Sequence, residues 1–389
     1  NININVKSIL LNNIGYNFKR ILFFFKLKGY QVIHLEKENF FKSKIINKIL
    51  FLKRIVYKKN IIINNNSNKI NIKFNNITDQ ILKNYLLNLQ SDLDYELINN
   101  YNYANSLNLF LQNFKNIKFL ITNINKGKDG IFSSIAKKIN SKSVIISHGT
   151  LTNSFNKYDK IYKTIISNQV HSEDFDYAFS QSKISDLFFE QNNSQNYIST
   201  GNILFSFKSR YPKIKSGKLS ILYAVTQKNI NNIQFFGCEM YYEFLDNLEF
   251  LNNIAYNRSI KIFVKLHPSV MNNESSLSKI YTNLTFLKNK INLILKKIDI
   301  TCSFSSSVIE DSLNMKIPVI LLDRWKRYRH TKSQNFPYQD DHPIMYVNDK
   351  KQFLSALDFS KKIKNFDFEK CIYTTHYLKN IKKSISKII

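Results

Sequence analysis

Short apolar runs and amphipathic stretches alternate along most of this chain. Near its start, apolar runs at Val6–Asn13 and Gln31–Leu35 flank a stretch of helical period at Tyr16–Leu27, with Gly15 and Gly29 at the two turns. Buried parallel strands occur in sequences as short apolar runs, and the helices between them have a period near 3.6 residues. The opening of the chain therefore predicts a β-α-β unit.

The first half continues with the same alternation. The further strands predicted there are Lys118–Thr122, Ser143–Ser147, Phe175–Ser180 and Asn196–Ser199, and the helices are Ile131–Ile139 and Ile184–Gln191. Phe40–Lys59 has a long helical pattern with a basic face, and Thr78–Phe114 has two helical segments around Asp92–Asp94. Asn60–Ile77 fits either a strand or a loop, and Leu151–Asp174 is mostly polar.

The second half restarts the alternation after Ser206–Lys218, a segment without apolar periodicity. The strands predicted there are Leu219–Thr226, Lys261–Leu266, Ile298–Cys302 and Pro318–Leu322, and the longer helices are Met240–Tyr256, Lys350–Asp358 and Tyr377–Ile388. A basic and aromatic loop spans Arg324–Asp341. This pattern predicts an α/β protein with two Rossmann-like, doubly wound domains, residues 1–205 and 218–389, joined by a linker at 206–217.

The charge of the chain adds little to this prediction. The 389 residues include 57 Lys and Arg against 28 Asp and Glu, which gives a formal net charge of +29. Lys, Asn and Ile are abundant along the whole chain, and no zinc-finger spacing or RNA-recognition signature is present, so we do not expect nucleic acid as a partner. The charge instead favours an anionic membrane surface, an anionic acceptor or nucleotide-linked substrates.

Targeting signals are not apparent in the sequence. No run approaches the roughly 20 apolar residues that span a bilayer, since the best one, Ile21–Phe25, is followed by Lys26 and Lys28. The first residue is not Met, and no secretory signal pattern follows it. The three cysteines are far apart and lack metal-ligand spacing, which is typical of reduced thiols. We therefore expect a cytoplasmic location. Because the protein is basic, we also expect that it can bind to the inner face of the plasma membrane.

A serine-rich turn follows the predicted strand Ile298–Cys302. Ser305, Ser306 and Ser307 precede a helical pattern that begins at Val308. Serine side chains cap the first N–H groups of helices, and these N–H groups together with the helix dipole attract anions. The turn is therefore either a plain helix cap or a site for a nucleotide phosphate.

Polar motifs follow several predicted strands at their carboxyl ends. They are His148-Gly149-Thr150, Thr200-Gly201-Asn202, His267-Pro268 and the serine turn. Ligands of open parallel sheets bind outside the carboxyl ends of the strands. Because His148 and His267 fall in opposite halves, we expect a central cleft that is lined from both sides. The other predicted cleft-lining residues are Gly149, Thr150, Gly201, Asn202 and Thr226.

These motifs, in this order, resemble those of the GT-B glycosyltransferases of bacterial surface polysaccharide synthesis. The motifs are SHGT at Ser147–Thr150, TGN at Thr200–Asn202, KLHP at Lys265–Pro268 and SSSVIED at Ser305–Asp311. The similar groups are the capsule-synthesis transferases, the bacterial polysialyltransferases and the CDP-glycerol glycerophosphotransferases of teichoic-acid synthesis. The resemblance covers the chain from about Lys118 to Leu322 and implies a GT-B-like fold.

The resemblance implies that His267, with Pro268, and the serines of SSSVIED hold the phosphates of a nucleotide donor. An imidazole and hydroxyl groups can stabilise the charge that develops on a departing nucleoside phosphate. Lys265 would add a cation there, or it lies on a solvated strand face. Glu310 or Asp311 would accept hydrogen bonds from the ribose, or they are first-turn acids favoured by the helix dipole.

The general base is a choice between two residues. In the glycerophosphotransferase-like interpretation, His148 takes the proton of an acceptor hydroxyl. In the polysialyltransferase-like interpretation this role belongs to an acidic pair before glycine. Here Asp129 precedes Gly130, but Lys128 stands in place of the second acid. We favour His148 and keep Asp129 as the alternative.

The resemblance thus implies a metal-independent glycosyltransferase that moves a sugar from a nucleotide-activated donor to a surface polysaccharide or glycolipid. It implies no cofactor besides the nucleotide sugar, and the expected partners are this donor, a glycan or lipid-linked acceptor and an anionic membrane surface. The alternatives are a CDP-glycerol-type polyol-phosphate transferase, a sugar-nucleotide 2-epimerase and a non-catalytic basic binding protein. Dehydrogenase, ATPase, hydrolase and metalloenzyme classes are not expected, because their characteristic motifs are absent.

Overall fold

The computed structural model describes most of the chain. The described residues are 6–11, 18–35, 55–58, 80–125, 127–147, 152–170, 174–205, 218–227, 237–257, 260–363 and 365–388. Three predicted features lie outside them, namely the linker 206–217, the strand or loop Asn60–Ile77 and the motif His148-Gly149-Thr150.

The described residues up to position 199 contain a seven-stranded sheet. Its strands are β1 (Ser8–Leu11), β2 (Gln31–Leu35), β3 (Ile55–Lys58), β4 (Ile117–Thr122), β5 (Lys142–Ile145), β6 (Tyr177–Ser180) and β7 (Tyr197–Ser199). Their order is β3-β2-β1-β4-β5-β6-β7, and the pairs from β3 to β6 are parallel. The strand order reverses at β1, which confirms the predicted doubly wound arrangement.

Strand β3 shows that the predicted helix Phe40–Lys59 is wrong at its end. Ile55–Lys58 pairs in parallel with β2 in register from Val32 opposite Ile55 to Leu35 opposite Lys58. The run Ile-Val-Tyr consists of β-branched and aromatic residues, which favour a strand once a partner strand is available. The rest of that predicted helix lies outside the described residues.

Five α-helices occur among the described residues before position 192. They are α1 (Phe18–Leu27), α2 (Gln80–Gln112), α3 (Ile131–Lys138), α4 (Lys157–Val170) and α5 (Lys183–Gln191). Helix α2 is continuous, so the predicted division around Asp92–Asp94 is wrong. An Asp inside a helix costs only about 0.7 kcal/mol relative to Ala, and a helix of 33 residues tolerates that cost.

Helix α4 is not predicted by the sequence pattern, because it lies in the mostly polar stretch Leu151–Asp174. Asp159 and Lys163 lie one turn apart on α4 and form an ion pair of 3.2 Å, with side chains only 1% and 6% exposed. This helix therefore buries charged residues on its inner face. A pattern search that expects apolar residues on the buried face does not detect such a helix.

The described residues after position 218 contain a six-stranded parallel sheet. Its strands are β8 (Leu219–Ala224), β9 (Ile260–Lys265), β10 (Leu284–Phe286), β11 (Ile300–Ser303), β12 (Val319–Leu322) and β13 (Ile344–Val347). Their order is β10-β9-β8-β11-β12-β13. The strand order reverses at β8 as it does at β1 in the first sheet, so both sheets have the Rossmann-like order that was predicted.

Helices cover both faces of the second sheet. They are α6 (Tyr241–Asn257), α7 (Glu274–Ile280), α8 (Ile291–Ile294), α9 (Val308–Asn314), α10 (Lys350–Lys362) and α11 (Tyr377–Ile385). On one face, Leu248 of α6 and Phe353 of α10 pack against the sheet. On the other face, Ile309 and Leu313 of α9 pack together with Ile184 of α5. Burial on both faces explains why the strands are almost entirely apolar.

Contacts within the chain divide it into two compact units. One consists of residues 1–148, 168–179 and 196–198, and the other of residues 149–167, 180–195 and 199–389. Helix α5 and most of α4 therefore belong to the unit that contains the second sheet. None of the helices in the described residues combines the length and the apolar character that crossing a bilayer requires.

Candidate functional site

Three neighbouring strands of the second sheet end at one edge. Strand β8 pairs with β9 and with β11, and the register places Ala224 opposite Lys265 and opposite Ser303. The residues that follow these strands, among them His267 and Ser305, therefore leave the sheet at the same edge. The strand order reverses at β8, and such a reversal point is the usual ligand site of an open parallel sheet. The predicted strand-end positions of His267 and of the serine turn are thus confirmed.

His267 caps the 3₁₀ helix Pro268–Asn273 that follows β9. Its Nδ1 accepts a hydrogen bond from the backbone N–H of Ser269 at 3.2 Å and lies 2.7 Å from Ser269 Oγ. A backbone N–H can only donate, so Nδ1 of the neutral ring carries no proton. The ring proton of His267 is therefore on Nε2, which makes Nε2–H the donor of this half-buried imidazole.

Lys265 and Pro268 flank His267 on the chain. The Lys265 ammonium donates to the backbone oxygen of Lys288 at 3.1 Å. Burial lowers the pKa of Lys265, and the nearby Glu274 carboxylate opposes this shift. Pro268 is exposed and begins the 3₁₀ helix, where its fixed φ and its missing N–H are tolerated.

The serine turn is held by its own side chains. Ser303 Oγ donates to Ala224 O at 2.7 Å and accepts from Ser306 N at 3.2 Å. Ser306 Oγ accepts from Val308 N at 3.3 Å, as predicted for a serine that caps the first N–H groups of a helix. The Ser305 hydroxyl donates to the backbone oxygen of Gly237, whereas Ser307, at the cap position of α9, makes no capping hydrogen bond with its side chain.

Glu310 and Asp311 lie in the first turn of α9 and are completely buried. Glu310 Oε1 accepts from the Ser182 hydroxyl at 2.9 Å, and Ser182 also caps α5 through Ser185 N. The structure thus places both carboxylates in the packing of the second unit. Their contact with a ribose stays a prediction.

A buried carboxylate that the sequence analysis missed closes the end of β8. Glu239 accepts from Thr226 N at 2.7 Å, from Thr226 Oγ1 at 3.0 Å and from Asn247 Nδ2 at 3.0 Å. The Tyr223 hydroxyl donates to the same carboxylate, and burial raises the pKa of Tyr223 well above its usual value. Thr226, predicted to line the cleft, is therefore buried and bonded to Glu239. Glu239 lies in no motif, and its only sequence signal is its position just before an apolar helix.

The motif Thr200-Gly201-Asn202 packs against helix α11. Gly201 has φ of 73°, and a Cβ there would lie 2.8 Å from Asn380 Nδ2. Asn380 Nδ2 donates to Asn202 O at 3.0 Å, and the Thr200 hydroxyl donates to Ser180 O at 2.9 Å. The glycine is therefore required by its left-handed backbone and by the close approach of Asn380.

Of the two candidates for the general base, Asp129 lies within the described residues and His148 does not. Asp129 ends the 3₁₀ turn Gly127–Asp129 before α3 and is half-buried. Burial raises the pKa of Tyr103, and the charge of Asp129 adds to this shift. His148 lies outside the described residues, together with Gly149 and Thr150. The choice between Asp129 and His148 stays a prediction.

The basic loop after β12 is fixed by buried contacts. Arg327 forms an ion pair of 2.5 Å with Glu243, whose side chain is completely buried, and its guanidinium lies 4.7 Å from the centre of the Phe304 ring. The Tyr328 ring packs on the same Phe304 at 5.3 Å between centroids. Asp323 accepts from Tyr328 N at 3.0 Å. Since Phe304 directly precedes Ser305, this loop braces the serine turn.

His330 lies deeper in the same loop. Its Nδ1 is 3.3 Å from the Tyr328 hydroxyl, and its backbone oxygen accepts from Lys163 Nζ at 3.2 Å. Burial, and to a smaller extent the Lys163 ammonium, lower the pKa of His330 to about 3. Burial lowers the pKa of Lys163 to about 8, although Asp159 opposes this shift. His330 is therefore neutral at physiological pH.

The described residues contain neither a metal-ligand cluster nor a disulfide. Within the described ranges, no three His, Cys, Asp or Glu side chains come together as a group that could hold a metal ion. The cysteines Cys238, Cys302 and Cys371 are free and buried. Independence from metal ions stays a prediction for the reaction itself.

Comparison with known proteins identifies the fold. No protein-family model and no curated protein matches the chain. Among solved structures, it is similar to UDP-GlcNAc 2-epimerase from Neisseria meningitidis bound to UDP-GlcNAc, with a TM-score of 0.54, 14% identity and coverage of 98% of this chain and 99% of that chain. The calicheamicin glycosyltransferase CalG4 matches with a TM-score of 0.50, 8% identity and coverage of 97% and 95%. The wall teichoic acid polymerase TagF, as the H444N variant with CDPG, matches with a TM-score of 0.50, 14% identity and coverage of 98% and 88%.

These similarities establish a fold and not an activity, because the identities are 8–14%. The matched proteins are GT-B enzymes, and each match covers nearly the whole of this chain. Both Rossmann-like sheets are present with the expected strand order. The predicted resemblance to GT-B enzymes is therefore confirmed, and the chain has the GT-B fold.

Proposed function

We propose that this protein is a glycosyltransferase that moves a sugar from a nucleotide-activated donor to a surface polysaccharide or glycolipid. The observation that carries the proposal is the position of His267 and the serine turn on either side of β8, where the strand order of the second sheet reverses. Ligands bind at such a point in doubly wound sheets. The solved GT-B structures bound to UDP-GlcNAc and to CDPG support a nucleotide-linked donor.

In this proposal His267 and the serines bind the phosphates of the donor. Nε2–H of His267 is a donor of fixed orientation, because Ser269 holds Nδ1. Together with the hydroxyls of Ser306 and Ser307 it would stabilise the negative charge that develops on the leaving nucleoside phosphate. Preorganised donors of this kind need no reorientation during the reaction.

The acceptor would be activated by a general base. An acceptor hydroxyl attacks the anomeric carbon, the bond from that carbon to the phosphate oxygen breaks, and the base takes the hydroxyl proton. We assign the base to His148, with Asp129 as the alternative. No metal ion or cofactor is required in this scheme. The reaction would take place in the cytoplasm, with the basic protein held at the anionic inner face of the plasma membrane.

Nucleotide binding is the first test. CMP-, CDP- and UDP-linked sugars are added to the purified chain, and the shift in melting temperature is measured for each. We expect a shift with at least one nucleotide, its loss in His267→Ala and its retention in His376→Ala. His376 is a matched control, because its Nδ1 also accepts from a backbone N–H, that of Leu378 at 3.4 Å, at the start of α11. A wild-type chain that responds to no nucleotide would contradict the proposal.

Two other enzyme functions are kept because specific structures favour them. The similarity to TagF with CDPG favours transfer of a polyol phosphate, which would release CMP and form a phosphodiester. The similarity to the Neisseria epimerase, which covers 99% of that chain, favours a 2-epimerase. Product analysis separates the three, since the epimerase acts without an acceptor. A non-catalytic basic binding protein would keep its binding in His267→Ala.

A further inference from the structure

A pocket of about 330 Å³ lies on the second unit, apart from the residues assigned to the donor. Its lining includes Asp246, Glu249, Phe250 and Asn253 of α6, Arg324 after β12 and Lys350 at the start of α10. Its volume is at the lower end of the range typical of small-molecule sites, roughly 300–1,000 Å³. The pocket therefore has room for a small ligand of one or two rings.

The polar groups of this pocket are oriented by their neighbours. Arg324 donates to the backbone oxygen of Asp246 at 2.8 Å, and its guanidinium stacks 4.7 Å from the centre of the Phe250 ring. Asp246 Oδ2 accepts from Trp325 Nε1 at 2.9 Å. Glu249 Oε1 accepts from Asn253 Nδ2 at 3.0 Å. Arg324, Asp246 and Glu249 are thus held in place before any ligand arrives, which lowers the entropic cost of binding.

Opposite charges share this pocket without pairing to one another. Asp246 and Glu249 supply two carboxylates, and Arg324 and Lys350 supply two cations. None of the ion pairs within the described residues joins these cations to these carboxylates. The pocket therefore offers acceptors and charged donors to a ligand at the same time.

The presence of both carboxylates and cations in the pocket restricts the kind of ligand that can bind there. A purely anionic ligand would meet the carboxylates of Asp246 and Glu249, and a purely cationic one would meet Arg324 and Lys350. An apolar ligand would cut four charged groups off from water without offering them any hydrogen bond, at a large cost. A polyol ring has hydroxyls that each donate and accept, and it has apolar C–H faces that suit the edge of Phe250.

We infer that this pocket is a saccharide-binding subsite. If the proposed transferase function holds, on which this further role rests, the subsite binds a sugar of the acceptor glycan away from the reacting hydroxyl. Binding energy from such a remote unit holds the acceptor in place and contributes to catalysis at the reacting end.

The only tryptophan of the chain reports on this site. Trp325 is 41% exposed and donates its indole N–H to Asp246. Its fluorescence is titrated in the full chain, without nucleotide, with hexoses, N-acetylhexosamines and their β-linked di- and trisaccharides, and with glycerol as a polyol without a ring. Saturation-transfer NMR on the same mixtures detects binding that leaves the fluorescence unchanged. Concentrations up to about 20 mM reveal a site with a millimolar Kd.

Matched variants test whether the saccharide binds in this pocket. Asp246→Asn keeps an oxygen that accepts from Trp325, and Lys350→Met removes one cation. Each variant should raise the Kd for the saccharide about tenfold, as expected for the loss of a hydrogen bond to a charged group. The controls are Asp358→Asn and Lys361→Met, which remove exposed charges of an ion pair elsewhere on α10 and should leave the Kd within about twofold.

The outcomes separate this inference from the proposed function. Saturable binding of at least one saccharide that weakens in both pocket variants and not in the controls supports the subsite, whether or not nucleotides bind. Absence of binding for the whole panel in both measurements overturns it, as does equal weakening in pocket and control variants. A chain that binds nucleotides and no saccharide keeps the transferase proposal and loses the subsite.

Discussion

The second sheet ends in two kinds of loop at one edge. The turns after β9 and β11 carry the half-buried imidazole of His267 and the hydroxyl groups of the serines. The loop after β12 carries cations, but Arg327 is paired with the buried Glu243 and stacked on Phe304. In the proposed function the first kind of loop offers its groups to the donor, whereas Arg327 of the second loop braces the neighbouring serine turn.

This difference argues against using the density of positive charge to locate the proposed donor site. A cation that is paired with a buried carboxylate cannot neutralise a phosphate without breaking its pair. The His267 imidazole, whose Nδ1 is held by Ser269, can donate from Nε2 to a phosphate without breaking an ion pair. Substitution of Arg327 should therefore affect stability, whereas substitutions after β9 should affect binding of the donor.

The largest effect is expected for Arg327→Met. Truncating Arg327 leaves the buried Glu243 carboxyl without its counter-charge, so the free energy of unfolding should fall by about 3–5 kcal/mol. Chemical denaturation measures this change. Lys326→Met, at the exposed neighbouring position, should cost less than about 0.5 kcal/mol. Equal costs in the two variants would show that the loop is not braced by this pair. A Glu243→Gln change added to Arg327→Met should recover part of the loss.

The next effect concerns activity and not stability. His267→Ala should lower kcat/KM about 10²–10³-fold, as the loss of a preorganised donor to a developing charge does. His267→Gln, which retains an N–H donor, should keep more activity than the alanine variant. The free energy of unfolding should change by only about 1 kcal/mol, the usual cost of losing a helix cap. If His267→Ala loses activity only because it unfolds, then His267 affects stability as Arg327 does, and the two kinds of loop do not differ in role.

A smaller effect is expected from pH. The pKa of His330 is about 3 in the folded chain and about 6.5 when unfolded, so between these values the unfolded chain binds more protons. Stability is therefore lost as the pH falls through this window. The contribution of His330 between pH 6.5 and pH 5 is about 1.5 kcal/mol.

Denaturation at both pH values in His330→Gln and in the control His376→Gln measures this contribution. The first variant should lose that part of the pH dependence, and the second should keep the wild-type dependence. Identical pH profiles in the two variants would mean that His330 is not held neutral by burial.

The smallest effect is expected for Ser269→Ala. This change removes the hydroxyl 2.7 Å from Nδ1 of His267 and leaves the backbone N–H in place. Nucleotide affinity should fall about fivefold, in line with the loss of one hydrogen bond of about 1 kcal/mol. Nitrogen NMR of the His267 ring should show a larger fraction with the proton on Nδ1. An unchanged ring and an unchanged Kd would show that the backbone N–H alone fixes the imidazole.

Much of the fold was predictable because most strands are short apolar runs with helices of clear period between them. The strand Gln31–Leu35 has the predicted bounds. Strand β13, Ile344–Val347, was missed because four residues at the end of a long loop give too short a pattern. Helix α4 was missed because Asp159 and Lys163 face inward as an ion pair, which only the folded chain reveals.

The site was predictable only where a residue type and its position coincide. His267 and the serines were located because they follow predicted strands, and the structure confirms those positions. Glu239 and Glu243 were not found, because an isolated acid near a helix start is common and its burial depends on distant partners. Gly201 was expected to line a cleft, and the structure shows that it makes room for Asn380, more than 170 residues later in the chain.

The contact between α5 and α9 has a consequence for cutting the chain into fragments. Ser182 donates to Glu310 across 128 residues of sequence, and Ile184 covers Ile309 and Leu313. A fragment that starts at residue 218 would expose that apolar helix face and leave the Glu310 carboxylate without Ser182. During synthesis α5 leaves the ribosome long before α9 exists, so this part of the molecule completes its packing only after the later segment emerges. Attempts to express the second sheet alone should include α5, or aggregation is the expected result.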